Sequence, residues 1–89
     1  MGDGILVLNA GSSSIKFAVY RGHSGQPLDP IARGKIEGIN SQGSEGHFSA
    51  FDGDGKELDD HRWPRGEALT HTAALAFLTD WLQLLMHHR

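Results

Sequence analysis

The sequence contains no cysteine, which removes disulfide staples, thiolate metal sites and a cysteine nucleophile together. It has no apolar run near the ~20 residues that a bilayer span requires. No basic segment precedes the short apolar run that follows Met1-Gly2-Asp3-Gly4, so a secretory leader is not expected. Positive charge is also scarce: Lys+Arg 8 against Asp+Glu 11 leaves a net charge of −3. A mildly acidic chain is not drawn in bulk to nucleic acid or to an anionic membrane. These absences leave a cytoplasmic protein as the expectation, with neither nucleic acid nor a membrane as partner. At 89 residues the chain is shorter than an average domain, so its core must be thin.

Glycine is what the sequence has in excess, 12 residues of 89 against a usual ~7%. The glycines are spread along the chain and punctuate it as turns do. Ile5-Leu6-Val7-Leu8 is a short continuous apolar run that ends in Asn9-Ala10-Gly11, the pattern of a strand buried on both faces. Ile15 to Tyr20 reads as the next strand, with Ile15, Phe17 and Val19 on one face and Lys16, Ala18 and Tyr20 on the other. Gly22 to Pro27 is a turn by composition. Pro30 to Ile39 reads as a third strand with one wet face, and Asn40 to Gly46 as a polar loop. His47–Phe51 and Lys56–Arg62 are shorter strands joined across Asp52-Gly53-Asp54-Gly55. An Asp-Gly pair between strand-like runs predicts a hairpin. The same string matches only part of a calcium loop, so the hairpin is the reading adopted.

The last third changes period. Leu75, Leu78, Leu82 and Leu85 recur at helical spacing, joined by Phe77, Trp81 and Leu84, with Asp80, Gln83 and His87 opposite. Thr70 is placed to cap this helix. Trp63-Pro64 marks the turn from strand to helix, because proline disfavours helix in the residue before it. The apolar arc is broader than one small sheet requires, so a further surface is expected to cover it. The expected architecture is α/β, an α+β-like fragment of about five mainly antiparallel strands over residues 4–62 followed by one long helix over about 70–88.

One segment carries chemistry: Asn9-Ala10-Gly11-Ser12-Ser13-Ser14-Ile15-Lys16-Phe17, set between two apolar strands. Gly11 permits a tight turn and close approach of backbone to a ligand. The serines add hydroxyl and backbone N–H donors, and N–H groups exposed in a tight turn form an anion-binding concavity. Lys16 adds a fixed positive charge. A lysine in an otherwise apolar strand is costly unless paired, and a phosphate is a natural partner. Two unit charges ~4 Å apart attract by on the order of 4 kcal/mol at an effective dielectric near 20. Asn9 offers a neutral oxygen to a Mg2+ ion or to water bound on it. The competing reading is a plain hairpin whose lysine snorkels to solvent. The segment is not a P-loop, since the second glycine before the lysine is absent.

The string Leu8-Asn9-Ala10-Gly11-Ser12-Ser13-Ser14-Ile15-Lys16-Phe17 resembles the N-terminal signature of the acetate and propionate kinase family. Phe51-Asp52-Gly53 with Gly55-Lys56 resembles that family's later hairpin, and His71-Thr72-Ala73-Ala74-Leu75 the start of its first long helix. Ala10 and Ser13 favour the acetate branch over butyrate kinases. The resemblance implies the RNase H-like fold of the sugar kinase, actin and Hsp70 superfamily, with residues 1–89 as a partial N-terminal kinase domain. It implies transfer of the γ-phosphoryl of ATP to acetate or another short-chain carboxylate, with Mg2+, giving an acyl phosphate and ADP. It implies that Lys16, Ser12, Ser14 and Gly11 bind ATP phosphate, that Asn9 lies at the metal site, and that the full-length enzyme is a homodimer. The carboxylate-binding arginines, the acidic catalytic residue and the adenosine pocket of the family come from later segments. No catalytic residue is therefore assigned here, and the 89-residue chain is expected to be an inactive fragment.

Other residues receive plainer readings. The six histidines show no zinc-ligand spacing with a third partner. Asp59-Asp60 reads as a solvated strand end, and Trp81 as core or as part of the surface that a further segment would cover. Two alternatives stay open beside the acetate kinase fragment: a butyrate-type carboxylate kinase fragment, and a non-enzymatic module that uses the broad helix face to bind a partner.

Overall fold

The computed structural model describes residues 3–22, 29–40, 43, 45–64 and 69–87. The turn expected over Gly22–Pro27 lies, apart from Gly22, outside them. Five strands run as an antiparallel meander: β1 (Asp3–Ala10), β2 (Ser14–Gly22), β3 (Asp29–Glu37), β4 (Gly46–Asp52) and β5 (Glu57–Trp63), in spatial order β1-β2-β3-β4-β5. One helix, α1 (His71–His87), follows. The strand-then-helix order and the antiparallel sheet agree with the sequence reading. Among the described residues no helix is long and apolar enough to cross a membrane.

The turn chemistry explains the meander. At the β4–β5 hairpin, Asp52 Oδ1 accepts the N–H groups of Asp54 and Lys56, each at 2.9 Å, and Gly55 takes a φ of 87°. The aspartate side chain thus completes the turn, and the glycine supplies a left-handed conformation that a Cβ would penalise. At the other end of the chain's core, Thr70 Oγ1 accepts the N–H of Ala73 at 3.1 Å, which is the N-cap expected from the sequence.

Strand alternation divides the sheet into two faces. Ile15, Phe17 and Val19 of β2 are buried together with Ile36 of β3 and Phe48 and Ala50 of β4. Helix α1 covers this face with Ala74 and Leu78 fully buried and Phe77, Trp81, Leu82, Leu85 and Met86 packed around them. The joint between layers is aromatic. The rings of Phe17 and Phe48 stack at 5.9 Å and 1°, and Trp81 meets both edge-on at 5.8 and 5.2 Å. Phe77 meets Phe48 at 4.9 Å, and the Trp81 indole N–H donates to Asp59 at 3.1 Å. Asp80, Gln83 and His87 face solvent as expected, and so do Leu75 and Leu84, the surplus of the broad apolar arc.

Two findings go beyond the sequence reading. Gly34 sits between Phe17 and Ala50 in the register, and a Cβ there would collide with the Ser49 carbonyl and lie 2.6 Å from the Phe17 ring. The missing side chain is the space in which Phe17 lies. The second finding is a correction: β1 is not buried on both faces. Ile5, Leu6, Val7 and Leu8 are 39–52% exposed. β1 is an edge strand paired only with β2, and the aromatic residues of α1 pack over β2, β4 and β5. The helix reaches β1 where Met86 approaches Gly4.

Gly34→Ala is expected to destabilise the domain by about 3 kcal/mol, because neither the backbone of Ser49 nor a ring wedged under α1 can retreat. In a chain of this size that lowers the melting temperature by ~12 °C or more in a thermal melt followed by circular dichroism. Gly43→Ala, where an added Cβ meets nothing within 4 Å, is the matched control and should change it little.

Candidate functional site

The Asn-Gly-Ser-Lys segment folds as the β1–β2 hairpin. Gly11 N–H donates to the Ser14 carbonyl at 2.7 Å, closing the turn. Ser12 and Ser13 are exposed at its tip and Ser14 is half-buried. Gly11 does not use glycine's left-handed freedom, and a Cβ there would make only ordinary contacts with Ser14, 3.5 Å from its Oγ. The turn therefore owes its shape to its hydrogen bonds rather than to Gly11.

Two distant elements tie that turn down. Ile39 N–H donates to the Ser13 carbonyl at 3.0 Å. His71, the first residue of α1, donates from Nε2 to the Gly11 carbonyl at 2.8 Å. Its Nδ1 accepts from Asn40 Nδ2 at 3.1 Å. Asn40 itself takes a φ of 58° and donates its N–H to the Leu69 carbonyl at 2.6 Å. The serine turn is thus clamped between the end of β3 and the start of α1.

The uncovered face of the sheet supplies the electrostatics. Asn9 lies opposite Lys16, Lys16 opposite Lys35, Lys35 opposite Ser49 and Ser49 opposite Asp60, one row across all five strands. Arg33 stands one step away, opposite Ala18. Like charges directly opposed across a ladder are destabilising. Neither Lys16 nor Arg33 forms an ion pair with a described residue. Lys35 meets Glu37 at 3.1 Å, but both side chains are about half exposed and such a surface pair is worth ~1 kcal/mol or less. Lys16, Arg33 and Lys35, with Phe17, Gly34 and Phe51, line a groove of about 320 Å³ on this face. A larger recess of about 490 Å³ lies toward the β4–β5 turn and shares only Arg33 with it.

The carboxylate at the far end of the row does not neutralise these lysines. Asp60 accepts from His47 Nε2 at 2.8 Å, with Arg62 Nε at 3.8 Å. The hydrogen bond from His47 holds the Asp60 carboxyl below its usual range, helped by the charges of His47 and Arg62. The result is a hairpin end that presents donors and two opposed lysines, with the Glu37 carboxylate, opposite Ser14, meeting Lys35 alone.

Sequence likenesses bear on what such a site serves. The chain is 43% identical over 84 residues to acetate kinase of Rhodopseudomonas palustris strain TIE-1, and 37% identical over 83 residues to acetate kinase of Rhizobium meliloti. Acetate kinase of Nitrobacter hamburgensis matches at 35% over 81 residues. These alignments cover 91–93% of this chain. Over nearly its whole length the chain is thus similar to one part of acetate kinases. It spans about one fifth of the length of these acetate kinases. No family model and no solved structure matches it.

The residues expected from the acetate kinase signature, Asn9, Gly11, Ser12, Ser14 and Lys16, thus share one hairpin end. Sequence reading missed Lys35, Arg33 and His71. Lys35 and Arg33 become neighbours of Lys16 only through strand register, and the bond from His71 to Gly11 spans 60 residues. No local pattern signals either.

His71→Ala removes both imidazole bonds, to Gly11 and to Asn40, and is expected to cost about 1–2 kcal/mol. Amide exchange in the Gly11–Ser14 turn should then rise while the core of β3 and β4 stays protected. For Asp60, a lowered folded pKa means that its contribution to stability is present at neutral pH and is lost as pH falls through that pKa. In a carboxyl NMR titration, His47→Ala should move the Asp60 midpoint upward toward the ordinary aspartate value.

Proposed function

We propose that this chain carries the phosphate-binding hairpin of an ATP:acetate phosphotransferase, with the acetate branch of the family preferred to the butyrate branch. The observation that carries this reading is Lys16, an unpaired cation directly opposite a second lysine at the end of a serine turn. Glu37 answers Lys35, but Lys16 has no such partner, and like charges opposed across a ladder are unfavourable unless a further anion joins them. A phosphate provides that charge and accepts the N–H and hydroxyl donors of Ser12 and Ser14. Phosphoryl transfer rests on positioning and on neutralising charge, which is what a lysine pair and a clamped donor turn supply.

The nucleotide reading extends to Mg2+ only in part. Among the described residues there is no group of three histidine or acidic side chains able to hold a metal ion. Asn9 contributes one neutral oxygen, and Lys16 opposite it repels a bare divalent cation. These residues do not fit a stand-alone Mg2+ site. A Mg2+ ion would arrive already bound to nucleotide, with Asn9 facing its coordinated water. In this reading the rest of such an enzyme supplies acetate recognition and the second half of the nucleotide cleft, ATP and ADP are the ligands of the hairpin, and the 89-residue chain does not turn over acetate by itself.

The test is a 15N–1H correlation spectrum of the chain titrated with Mg-ATP. Shifts are expected at Asn9 to Lys16 and at Lys35, and Lys16→Gln should weaken binding about tenfold or more, the equivalent of ~1.4 kcal/mol. A titration that leaves the hairpin unmoved would contradict the phosphate reading. A coupled ADP-release assay is expected to show no acetate-dependent turnover by the chain.

A further inference from the structure

The two bonds that reach the serine turn from α1 and from the end of β3 both fall on carbonyls. His71 Nε2 donates to the Gly11 carbonyl at 2.8 Å, and Ile39 N–H donates to the Ser13 carbonyl at 3.0 Å. The two holds are joined, because Asn40, next to Ile39 in the chain, donates from Nδ2 to His71 Nδ1 at 3.1 Å. Gly11, His71, Asn40, Ile39 and Ser13 therefore close a ring through hydrogen bonds and chain, with Ser12 between the two held carbonyls. A trans peptide sets its C=O and the N–H that follows on opposite sides. With the Gly11 carbonyl turned to His71, the Ser12 N–H is turned away from α1. That N–H, like the hydroxyls of Ser12 and Ser14, has no partner among the described residues. The carbonyls are taken and the donors are left open.

We propose that His71 is a positioning residue for anion binding at this turn, a role that rests on the phosphate reading above. It acts through the Gly11–Ser12 peptide and does not touch the ligand. Rotation of that peptide would exchange the Ser12 N–H for the Gly11 carbonyl oxygen, and a carbonyl oxygen turned toward a phosphate repels it. A peptide that follows glycine rotates easily, since a residue without a Cβ has a wide choice of backbone angles. A Cβ at Gly11 would make only ordinary contacts, so packing around that residue does not prevent the rotation. The half-buried His71 does, by holding the carbonyl from the first residue of α1. Lys16 supplies charge to the site, and His71 supplies direction. The coupling runs both ways. An anion on the Ser12 N–H polarises the peptide and strengthens the bond that its carbonyl accepts. Occupancy of the turn therefore tightens the His71 bond, and loss of that bond weakens binding by the same factor. A histidine that only packed α1 against the sheet would do neither.

The first measurement needs no substitution. In a titration of the chain with Mg-ATP, the His71 Nε2 resonance in a long-range 15N–1H spectrum of the imidazoles should shift with the same midpoint as the Ser12 amide. His71→Phe keeps a ring at the start of α1 but donates nothing. It should raise the dissociation constant for Mg-ATP about fivefold or more, the effect of one net hydrogen bond, with the dispersed spectrum of the folded chain retained. His71→Gln restores a donor at similar reach and should bring the affinity back to within about twofold of the original. A His71 resonance that stays still while the hairpin binds would overturn the inference and leave the phosphate reading standing. So would a His71→Phe chain that binds as tightly as the original, or a His71→Gln chain that binds as poorly as His71→Phe, since the donor would then not be what counts. A hairpin unmoved by Mg-ATP in the original chain would overturn both readings together.

Discussion

The absence of a Cβ at residue 34 governs how the helix meets the sheet. With Gly34 in the register between Phe17 and Ala50, the Phe17 ring lies flat across β3 and stacks on Phe48. That stack is the platform on which Trp81 and Phe77 stand edge-on, and through them the whole of α1. Aromatic contacts of this geometry add to the burial term that dominates in a core this thin. The position of α1 then fixes where His71 falls, and His71 holds the Gly11 carbonyl. A gap in the sheet on one side is thus coupled, through one helix, to the shape of the serine turn.

Sheet polarity separates stability from chemistry. The helix side carries Ile15, Phe17, Ile36 and Phe48, all buried. The other side carries Asn9, Lys16, Lys35 and Arg33. Because side chains alternate along a strand, β2 delivers both sets at once: Ile15 and Phe17 into the core, Lys16 between them to the open face. The cation is held in place by the burial of its two neighbours. A one-residue slip in register would bury Lys16 and expose Phe17, so the same hydrophobic pattern that secures the fold secures the charge.

Much of this was legible in the sequence, and the parts that were not share a cause. Thr70 as a cap, Asp52-Gly53 as a hairpin, the stripe of Leu78, Phe77 and Trp81, and the strand–turn–strand setting of Asn9 to Lys16 are all written within short windows. The pairing of Lys16 with Lys35 depends on register, which no window of residues reveals. Gly34 falls inside the strand read over Pro30 to Ile39, but its packing role depends on Phe17 and Ser49, which only the strand register brings to it. The apolar run of β1 pointed to a strand covered on both sides, whereas this chain leaves it at an edge. Periodicity reports what a strand's side chains require, and the neighbours that meet the requirement are set by the rest of the fold.

The clamp on the serine turn has a consequence for the order in which the molecule is made. Each strand of the meander pairs with the one before it, so every hairpin can close soon after its second strand leaves the ribosome. The turn at Gly11 emerges well before His71, yet its carbonyl is bonded by that residue, 60 positions later. In the growing chain the hairpin carrying the donors therefore exists well before it is rigid. It acquires its final shape only when α1 docks, long after its own two strands have met.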